Sequence, residues 1–489
     1  MTHSPLPTSA PIFMRQWLPF LFVMAVWVVC LCGCASEVEN VDQDVNETAP
    51  QHPISVVVVD AADLSEPIQR QWAAQTGGEV QIENVSIEEL FADNYAAIDN
   101  ADVLIYPSVL LAHLVADEVV SELLDEVWDS EQLDNKGLLS VCRTDLIRFG
   151  RDRWATPLSH PHTLFFLRND VLEKLGAQVP ETWEELVQLK QQIDSNKNEL
   201  DAASLPTSVV LPTQGNDVAY MTLAIAAAEI RHRGKLDSLF QRATMKPLIA
   251  TQPYFKALNA LKSLTSGDSG RDVVQAARHF CEGNAAVAIG WPIKASFEDA
   301  NSLVNETVLE QTVVTRLPGT KQWFDFGTDS WNQIPEGTAQ VELIGHHSYQ
   351  ASILKTASYP TSVNRFVSWL SSKSATNQIV SYSLKSGPTR YSQLGDIQNW
   401  TGDIFSVDNA DRLIEMLNEI NDENITMTFP RIRGSHEYIS VLTAEIQSFL
   451  NGQSDAEAAL QSVAQQWEAI TQRYGREQQM ELLRTDLGF

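Results

Sequence analysis

The sequence predicts an α/β protein built from two lobes or more, and three observations support this fold class. The chain has 489 residues, which is too long for one compact core. Hydrophobic residues make up 44% of it and charged residues 20%, as in a globular protein. Apolar strands alternate with helical patterns from Ile54 onwards, and this order is typical of a parallel sheet with helices on its faces.

Residues 1–33 form a predicted targeting segment, a signal peptide. Arg15 is its only charged side chain, and the run of residues 17–31, apolar apart from one proline, has the length of a signal-peptide core. The run ends in Leu-Cys-Gly-Cys, which resembles a bacterial lipobox and makes Cys34 the predicted lipidation site. An uncleaved N-terminal anchor is the alternative, and both place the body of the protein outside the cytoplasmic membrane, on the periplasmic side or at the cell surface. Residues 34–53 are acidic and poor in apolar side chains, so we predict a flexible tether.

The globular part begins with a β-α-β pattern. Residues 54–59 are an apolar strand and residues 80–85 a second strand, with a capped helix between them, which implies a right-handed parallel crossover. A third apolar run covers residues 101–106. Asp60 and Ser108 follow the first and third strands, and ligands of open α/β sheets bind beyond the carboxyl ends of strands. Both are therefore candidate ligand-binding residues, although a helix-entry role explains Asp60 equally well.

A polar turn, a strand and two helices follow one another further along the chain. Two prolines punctuate the turn, which carries Ser159, His160 and His162 as candidate ligand-binding residues. An apolar run of strand length, residues 163–167, comes next. A short helix and then a second one follow, and Thr182 with a glutamate three residues on predicts a capping box at the start of the second.

A second informative stretch ends in a Gly-Trp-Pro turn. Residues 285–290 read as a strand of small residues, and Trp291 follows it directly. A large flat ring at the mouth of a parallel sheet can stack on the apolar face of a pyranose, so Trp291 is the preferred ligand-binding candidate. A core tryptophan under a loop is the alternative.

These two stretches resemble the bacterial extracellular solute-binding proteins of ABC transporters, family 1, which are maltose-binding-protein-like. The matching residues of the first stretch are Pro157, Asn169, Asp170, Pro180, Thr182, Trp183, Glu184 and Leu186. The second stretch matches the family pattern Phe-x-x-Gly-x-Ala-Ala-Met-x-x-Gly, except that Val287 stands where Met is usual. The first stretch departs from the pattern too, because Trp154 and Ala155 replace the usual Tyr-Gly.

The resemblance implies a type II periplasmic-binding-protein fold of two lobes, with mixed central sheets flanked by helices and a hinge of three crossings. The N-terminal lobe would comprise residues 54–155 and 290–344, and the C-terminal lobe residues 156–289 and 345–489. It also implies a protein that captures a small polar solute, with a sugar as the favoured ligand, for the permease subunits of an ABC importer. The alternative is a surface lipoprotein that captures or senses a solute without a transporter.

Charge and motifs exclude other classes of function. The formal net charge is −29, and phosphate binding needs a basic face, so no nucleic-acid partner is expected. The sequence lacks the nucleophile elbow, the zinc-protease helix, the P-loop and the dinucleotide-binding glycines. Carboxylates are plentiful, and a glycosidase-like pair of them is the enzymatic alternative, but abundance does not define a site. We therefore expect a binding protein without a cofactor and not an enzyme.

Histidine supplies the competing hypothesis of a metal-binding member of the same fold. If the crossings lie side by side, as the resemblance implies, then His160, His162, His346 and His347 could face one cleft. Against this, adjacent histidines in an extended chain point to opposite faces. Histidine also hydrogen-bonds sugar hydroxyls, so His346 is assigned to ligand binding and no metal site is expected.

Two cysteines remain in the globular part. Cys142 and Cys281 could form a disulfide in an oxidising compartment, but two buried free thiols are the preferred interpretation.

Overall fold

The computed structural model describes residues 53–489 apart from 198–199, 201–204, 233, 267–269, 292–304, 306–307, 309, 402–406 and 423–425. The predicted signal peptide, Cys34 and nearly all of the predicted tether lie outside the described residues. Among the helices of the described part, none has both the length and the apolar character needed to cross a membrane.

The strands are numbered in chain order. They are β1 Ile54–Val59, β2 Val80–Val85, β3 Val103–Pro107, β4 Arg148–Phe149, β5 Asp152–Arg153, β6 Thr156–Ser159, β7 Leu164–Arg168, β8 Thr207–Val210, β9 Ala285–Gly290, β10 Thr312–Thr315, β11 Gln322–Asp325, β12 Ser330–Gln333, β13 Glu342–Ile344, β14 Tyr349–Ile353 and β15 Thr426–Thr428.

The α-helices are numbered in the same way. They are α1 Ser65–Thr76, α2 Ile87–Phe91, α3 Leu111–Ala116, α4 Asp125–Trp128, α5 Asn169–Leu175, α6 Trp183–Ser195, α7 Asp217–Ile230, α8 Gln252–Thr265, α9 Val273–Cys281, α10 Pro360–Leu370, α11 Lys373–Tyr382, α12 Tyr391–Leu394, α13 Gln398–Thr401, α14 Val407–Asp422, α15 Ser435–Leu450, α16 Ala456–Tyr474 and α17 Arg476–Asp486.

The first sheet has the strand order β2-β1-β3-β14-β6. Strand β1 is parallel to both β2 and β3, which confirms the predicted β-α-β start of the globular part. Strand β14 is antiparallel to both β3 and β6, so the sheet is mixed. Val56 and Val58 of β1 are fully buried, as expected for a strand covered on both faces. Helices α1 and α10 pack on this sheet.

The second sheet has the strand order β10-β7-β9-β8. Strand β7 is antiparallel to β10 and β9, and β8 is parallel to β9. Helices α6 and α8 contact β8, α9 contacts β9, and α14 contacts β10. Every residue of β9 is buried, which explains why its sequence is a continuous run of small and apolar residues.

The division of strands between the sheets differs from the predicted division of the chain. The prediction grouped residues 290–344 with the first strands, but Thr312–Thr315 pairs with β7 of the second sheet. It grouped residues 345–489 with the second lobe, but Tyr349–Ile353 pairs with β3, and β6 also joins the first sheet. Each sheet thus contains a strand that the prediction assigned to the other lobe. Antiparallel pairing with such a distant strand covers a sheet edge that would otherwise be open. The lobe boundaries themselves remain a prediction.

Two local predictions can be compared with their hydrogen bonds. Thr182 caps α6 by accepting the Glu185 N–H at 3.2 Å, as expected. The Glu185 carboxylate accepts the N–H of Glu181 instead of that of Thr182, so only half of the predicted capping box forms. Cys142 and Cys281 are both free thiols, as expected, although Cys142 alone is buried and Cys281 is partly exposed.

Candidate ligand-binding cleft

A cavity of about 370 Å³ lies where residues at the ends of first-sheet strands meet the starts of α7 and α9. Asp60 and Pro107, at the ends of β1 and β3, line one side. Asn216 and Asp272, which precede α7 and α9, line the other side. Carboxyl ends of strands and N-termini of helices therefore meet in this cleft, which is the arrangement expected of a ligand site in an open α/β sheet.

Polar and aromatic side chains line the cleft together. Tyr220 and Tyr349 contribute rings, and Gln214 and Lys385 contribute flexible polar groups. The Tyr349 hydroxyl donates to the main-chain carbonyl of Asp60 at 2.8 Å and so joins β14 to the end of β1. Burial raises the pKa of both tyrosines, so their hydroxyls stay protonated as hydrogen-bond donors. The cleft combines apolar ring faces with convergent donors and acceptors.

Asp217 is the centre of a buried cluster on the floor of the cleft. Its Oδ1 lies 2.9 Å from Nε2 of His346 and 2.8 Å from Nε2 of His347. Its Oδ2 accepts the Val273 N–H at 3.3 Å. Burial alone would raise the pKa of Asp217, but the hydrogen bonds from the two histidines outweigh it and hold this pKa well below its usual range. Burial, and then His347, lower the pKa of His346 to about 4. At neutral pH Asp217 is therefore ionised and His346 is neutral.

The backbone explains how neighbouring histidines reach one oxygen. His347 has φ +51, and Gly345, two residues earlier, has φ +92, so this segment is not an extended strand. A left-handed residue turns the chain, and the two imidazoles then point the same way instead of to opposite faces. The expectation that adjacent histidines diverge is wrong here, because it assumed extended backbone. Tyr220 stacks on the His346 ring at 4.0 Å between centroids and fixes its plane.

Of the predicted ligand-binding residues, Asp60 and His346 line the cleft. Ser108 is buried beside it, where its N–H donates to the Ser348 carbonyl at 2.8 Å and its hydroxyl to Gly345 O at 3.4 Å. It therefore supports the crossing that carries the histidines instead of lining the cavity.

Ser159 and His160 are buried within the first crossing. The Ser159 hydroxyl accepts the Gly387 N–H at 3.0 Å, and the His160 N–H donates to the Gly387 carbonyl at 3.2 Å. A side chain at position 387 would collide with Pro161, which accounts for the glycine there. His160 also bonds Ser348 Oγ through Nδ1 at 2.8 Å, and burial lowers its pKa well below the usual value. In this conformation both residues hold the crossing together.

His162 and Trp291 lie apart from the cleft surface. His162 lines a separate cavity of about 250 Å³, where its Nδ1 lies 3.6 Å from a Glu342 carboxylate oxygen. The four histidines therefore do not share one cavity among the described residues. Trp291 is only 3% exposed, and its ring packs edge-on against His347 at 5.2 Å. With no exposed face, the indole cannot stack on a sugar in this conformation.

Sequence reasoning missed Asp217, the residue that organises the cluster. The apolar spacing after it was correctly interpreted as core, since every residue of α7 is buried. The signal lay just before that run: Gly215 and Asn216 followed by an aspartate are typical of a helix N-terminus. A polar start to a helix that is otherwise mostly apolar is thus the one feature of the sequence that set Asp217 apart.

Comparisons with known proteins agree on the family and the fold. The family model described as bacterial extracellular solute-binding protein matches residues 57–377. No protein with a curated description matches the chain in sequence.

Three solved structures are similar to it. An ABC transporter solute-binding protein from Agrobacterium radiobacter in complex with ribitol shares 17% identity over 87% of this chain and 100% of that one, with a TM-score of 0.66. Maltose-bound MalE3 of T. maritima shares 16% identity over 85% of this chain and 100% of that one, with a TM-score of 0.62. An ABC transporter solute-binding protein from Agrobacterium vitis with bound D-mannitol shares 15% identity over 86% of this chain and 99% of that one, with a TM-score of 0.60. These similarities confirm the predicted two-lobe periplasmic-binding-protein fold.

Proposed function

Because the chain belongs to the family of bacterial extracellular solute-binding proteins, we propose that it captures a small carbohydrate or polyol in the cleft and delivers it to an ABC importer. The cleft itself is the observation that carries this proposal. Its volume of about 370 Å³ is in the range of small-molecule sites, which begins at roughly 300 Å³, and suits a sugar or a short polyol.

The lining suits a ligand with many hydroxyl groups. A sugar hydroxyl both donates and accepts, so its pocket needs both kinds of partner. The Gln214 amide supplies both, Asp60 and Asp272 accept, and Lys385 donates. Tyr220 and Tyr349 add aromatic surface for the C–H face of a ring or a carbon chain. Ribitol, maltose and D-mannitol, bound by the similar solved structures, have this chemistry.

Capture would proceed by lobe closure. Residues beside both sheets line the cleft: Asp60 follows a strand of the first sheet, and Asp272 precedes α9, which contacts the second sheet. A ligand that contacts both sides stabilises the closed form only through contacts that the open form lacks. Closure around the solute would then create the surface that a permease recognises.

The N-terminal segment would hold this binding protein at the membrane. Lipidation of Cys34 would anchor the chain, and the acidic residues 35–53 would let the lobes reach a permease.

Thermal-shift measurements and calorimetry with ribitol, D-mannitol, maltose and a panel of monosaccharides test the proposal. A ligand at one hundred times its Kd should stabilise the protein by about 2.7 kcal/mol. Gln214→Ala and Lys385→Ala each remove a cleft group and should weaken binding about five- to tenfold, the worth of one hydrogen bond. Lys373→Ala, on an exposed part of α11, is the matched control and should bind as the wild type does. If no sugar or polyol at millimolar concentration shifts the melting temperature, the proposal is wrong.

A further inference from the structure

Asp217, His346 and His347 bring three potential metal-ligand atoms together at the cleft. The carboxylate oxygen and the two imidazole nitrogens all lie within 4.8 Å of one another. Asp217 and His346 are buried and His347 is partly exposed, so solvent or an ion can reach the cluster from the side of His347. No other group of three such side chains occurs among the described residues.

We propose that these three residues form a binding site for a divalent transition-metal ion of the zinc class, with its remaining coordination positions open to the cleft. Two histidines and one carboxylate are a ligand set that suits such ions, and catalytic zinc sites of this kind keep a position for water or another ligand. The inference does not rest on sugar binding and would stand if no sugar bound.

The observed distances match those of metal ligands. The Oδ1–Nε2 separations are 2.9 and 2.8 Å. Two ligands bonded at about 2.05 Å lie about 2.9 Å apart when they subtend about 90° at the ion, and about 3.3 Å apart in a tetrahedral site. The two Nε2 atoms lie within 4.8 Å of each other, so they would need to approach by at most about 1.5 Å to reach the spacing of a tetrahedral site. A neutral imidazole that donates from Nε2 carries its only proton there, so binding of the ion through Nε2 would require that proton to move to Nδ1 by exchange with solvent, and the ring would stay neutral.

Surrounding contacts hold the ligands in place without occupying all their donor positions. The Val273 N–H binds Oδ2 of Asp217 and leaves Oδ1 directed at the histidines. Tyr220 stacks on His346, and Trp291 packs edge-on against His347. Such outer partners orient metal ligands and tune their affinity.

The backbone supplies a second, independent argument. A histidine with φ +51 is in a sparsely populated region, and such conformations persist where the surrounding structure enforces them, often at functional sites. Here it makes two side chains converge on one oxygen. A simple structural ion pair with Asp217 would need only one of the two imidazoles.

The charge of the cleft favours a cation. Asp60, Asp217 and Asp272 line it, against one lysine, Lys385. A divalent ion would therefore enter a region of net negative charge.

Calorimetric titration of Zn²⁺ into the full chain, untagged, purified in detergent and stripped with EDTA, tests the site. One ion should bind per chain. His346→Gln and His347→Gln keep a donor for Asp217 but replace a good ligand by a poor one, so each should weaken binding at least tenfold. His279→Gln, on α9 outside the cleft, is the matched control and should leave affinity unchanged. The absence of saturable binding by the wild type, or binding within twofold of wild type in both Gln variants, would overturn the proposal.

Spectroscopy of the wild type covers the case in which the variants do not fold. Cu²⁺ added at one equivalent should show electron spin echo modulation from two imidazoles, and a signal from one imidazole or none rejects the site. The sugar panel, repeated in EDTA, separates the two proposals. Sugar binding without metal leaves the carbohydrate function intact whatever the zinc titration gives, and zinc binding without any sugar response removes only that function.

Discussion

Replacing Trp291 by alanine tests what the structure implies about this residue. The indole is 3% exposed, its ring packs against His346 and His347, and it does not line the cleft. Trp291→Ala should therefore act mainly as a core substitution, with a loss of roughly 3–5 kcal/mol of unfolding free energy. For a cooperative unit of about 200 residues, this corresponds to a fall in melting temperature of roughly 6–20 °C.

The effect on ligand affinity should be secondary. An indole stacked directly on a sugar would contribute on the order of 2 kcal/mol, about thirtyfold in Kd. A buried indole acts only through the placement of His347, so the Kd should change less. Trp467→Ala is the matched control, because this fully buried tryptophan of α16 donates its indole N–H to Tyr438 O on α15; it should cause a similar loss of stability and leave affinity unchanged.

The measurement is a melting temperature of the unliganded variants by calorimetry, followed by titration with the best sugar or polyol of the panel. If Trp291→Ala melts within 2 °C of wild type, on the scale of roughly 2–4 °C per kcal/mol, and yet binds about thirtyfold more weakly, the reasoning from burial is refuted. The ring would then reach the ligand in a conformation other than the one described.

Three further outcomes follow from the contacts. Burial lowers the pKa of His436 to about 4, so between about pH 6.5 and pH 4 the unfolded chain binds more protons than the folded one, and the free energy of unfolding falls as the pH falls, by up to about 1 kcal/mol per pH unit for this residue. Urea midpoints measured across this range should follow that slope, and His436→Gln should flatten it. Equal slopes for wild type and variant would contradict the assignment. Arg433→Ala removes the ion pair with Asp117 at 2.5 Å and should cost about 2 kcal/mol, whereas Arg473→Ala, at a more exposed pair, should cost less than about 0.5 kcal/mol; equal losses in chemical denaturation would argue against this ranking. Cys34→Ser should abolish incorporation of labelled fatty acid, and mass spectrometry that finds an unmodified Cys34 within an intact N-terminus of the wild type would reject the lipoprotein prediction.

Elements with a strong local pattern could be predicted from the sequence. The runs that became Ile54–Val59 and Ala285–Gly290 are almost wholly apolar, because both faces of such strands are covered. Sheet membership was predicted less well. Whether Thr312–Thr315 joins one sheet or the other depends on pairing with a strand far away in sequence, and no local pattern carries that information.

The cleft shows the same limit. His346 was predicted because histidine is rare and chemically versatile, but its partner Asp217 stands in front of an apolar helix and reads as an ordinary helix start. The convergence of His346 and His347 depends on a left-handed backbone at His347, which the residue type permits but does not require. Side-chain identity therefore indicated the chemistry, while the backbone decided which groups meet.

The strand order of the first sheet has a consequence for biogenesis. Strand β3 pairs with β14, and more than two hundred residues separate them along the chain. All strands of the second sheet are synthesised before β14. The edge of β3 therefore remains unpaired for a time on the order of ten seconds or more at typical rates of chain elongation. An unpaired edge strand is a site for wrong pairing and aggregation. A nascent chain of this design depends on remaining unfolded, or held by a chaperone, until its last strands have arrived.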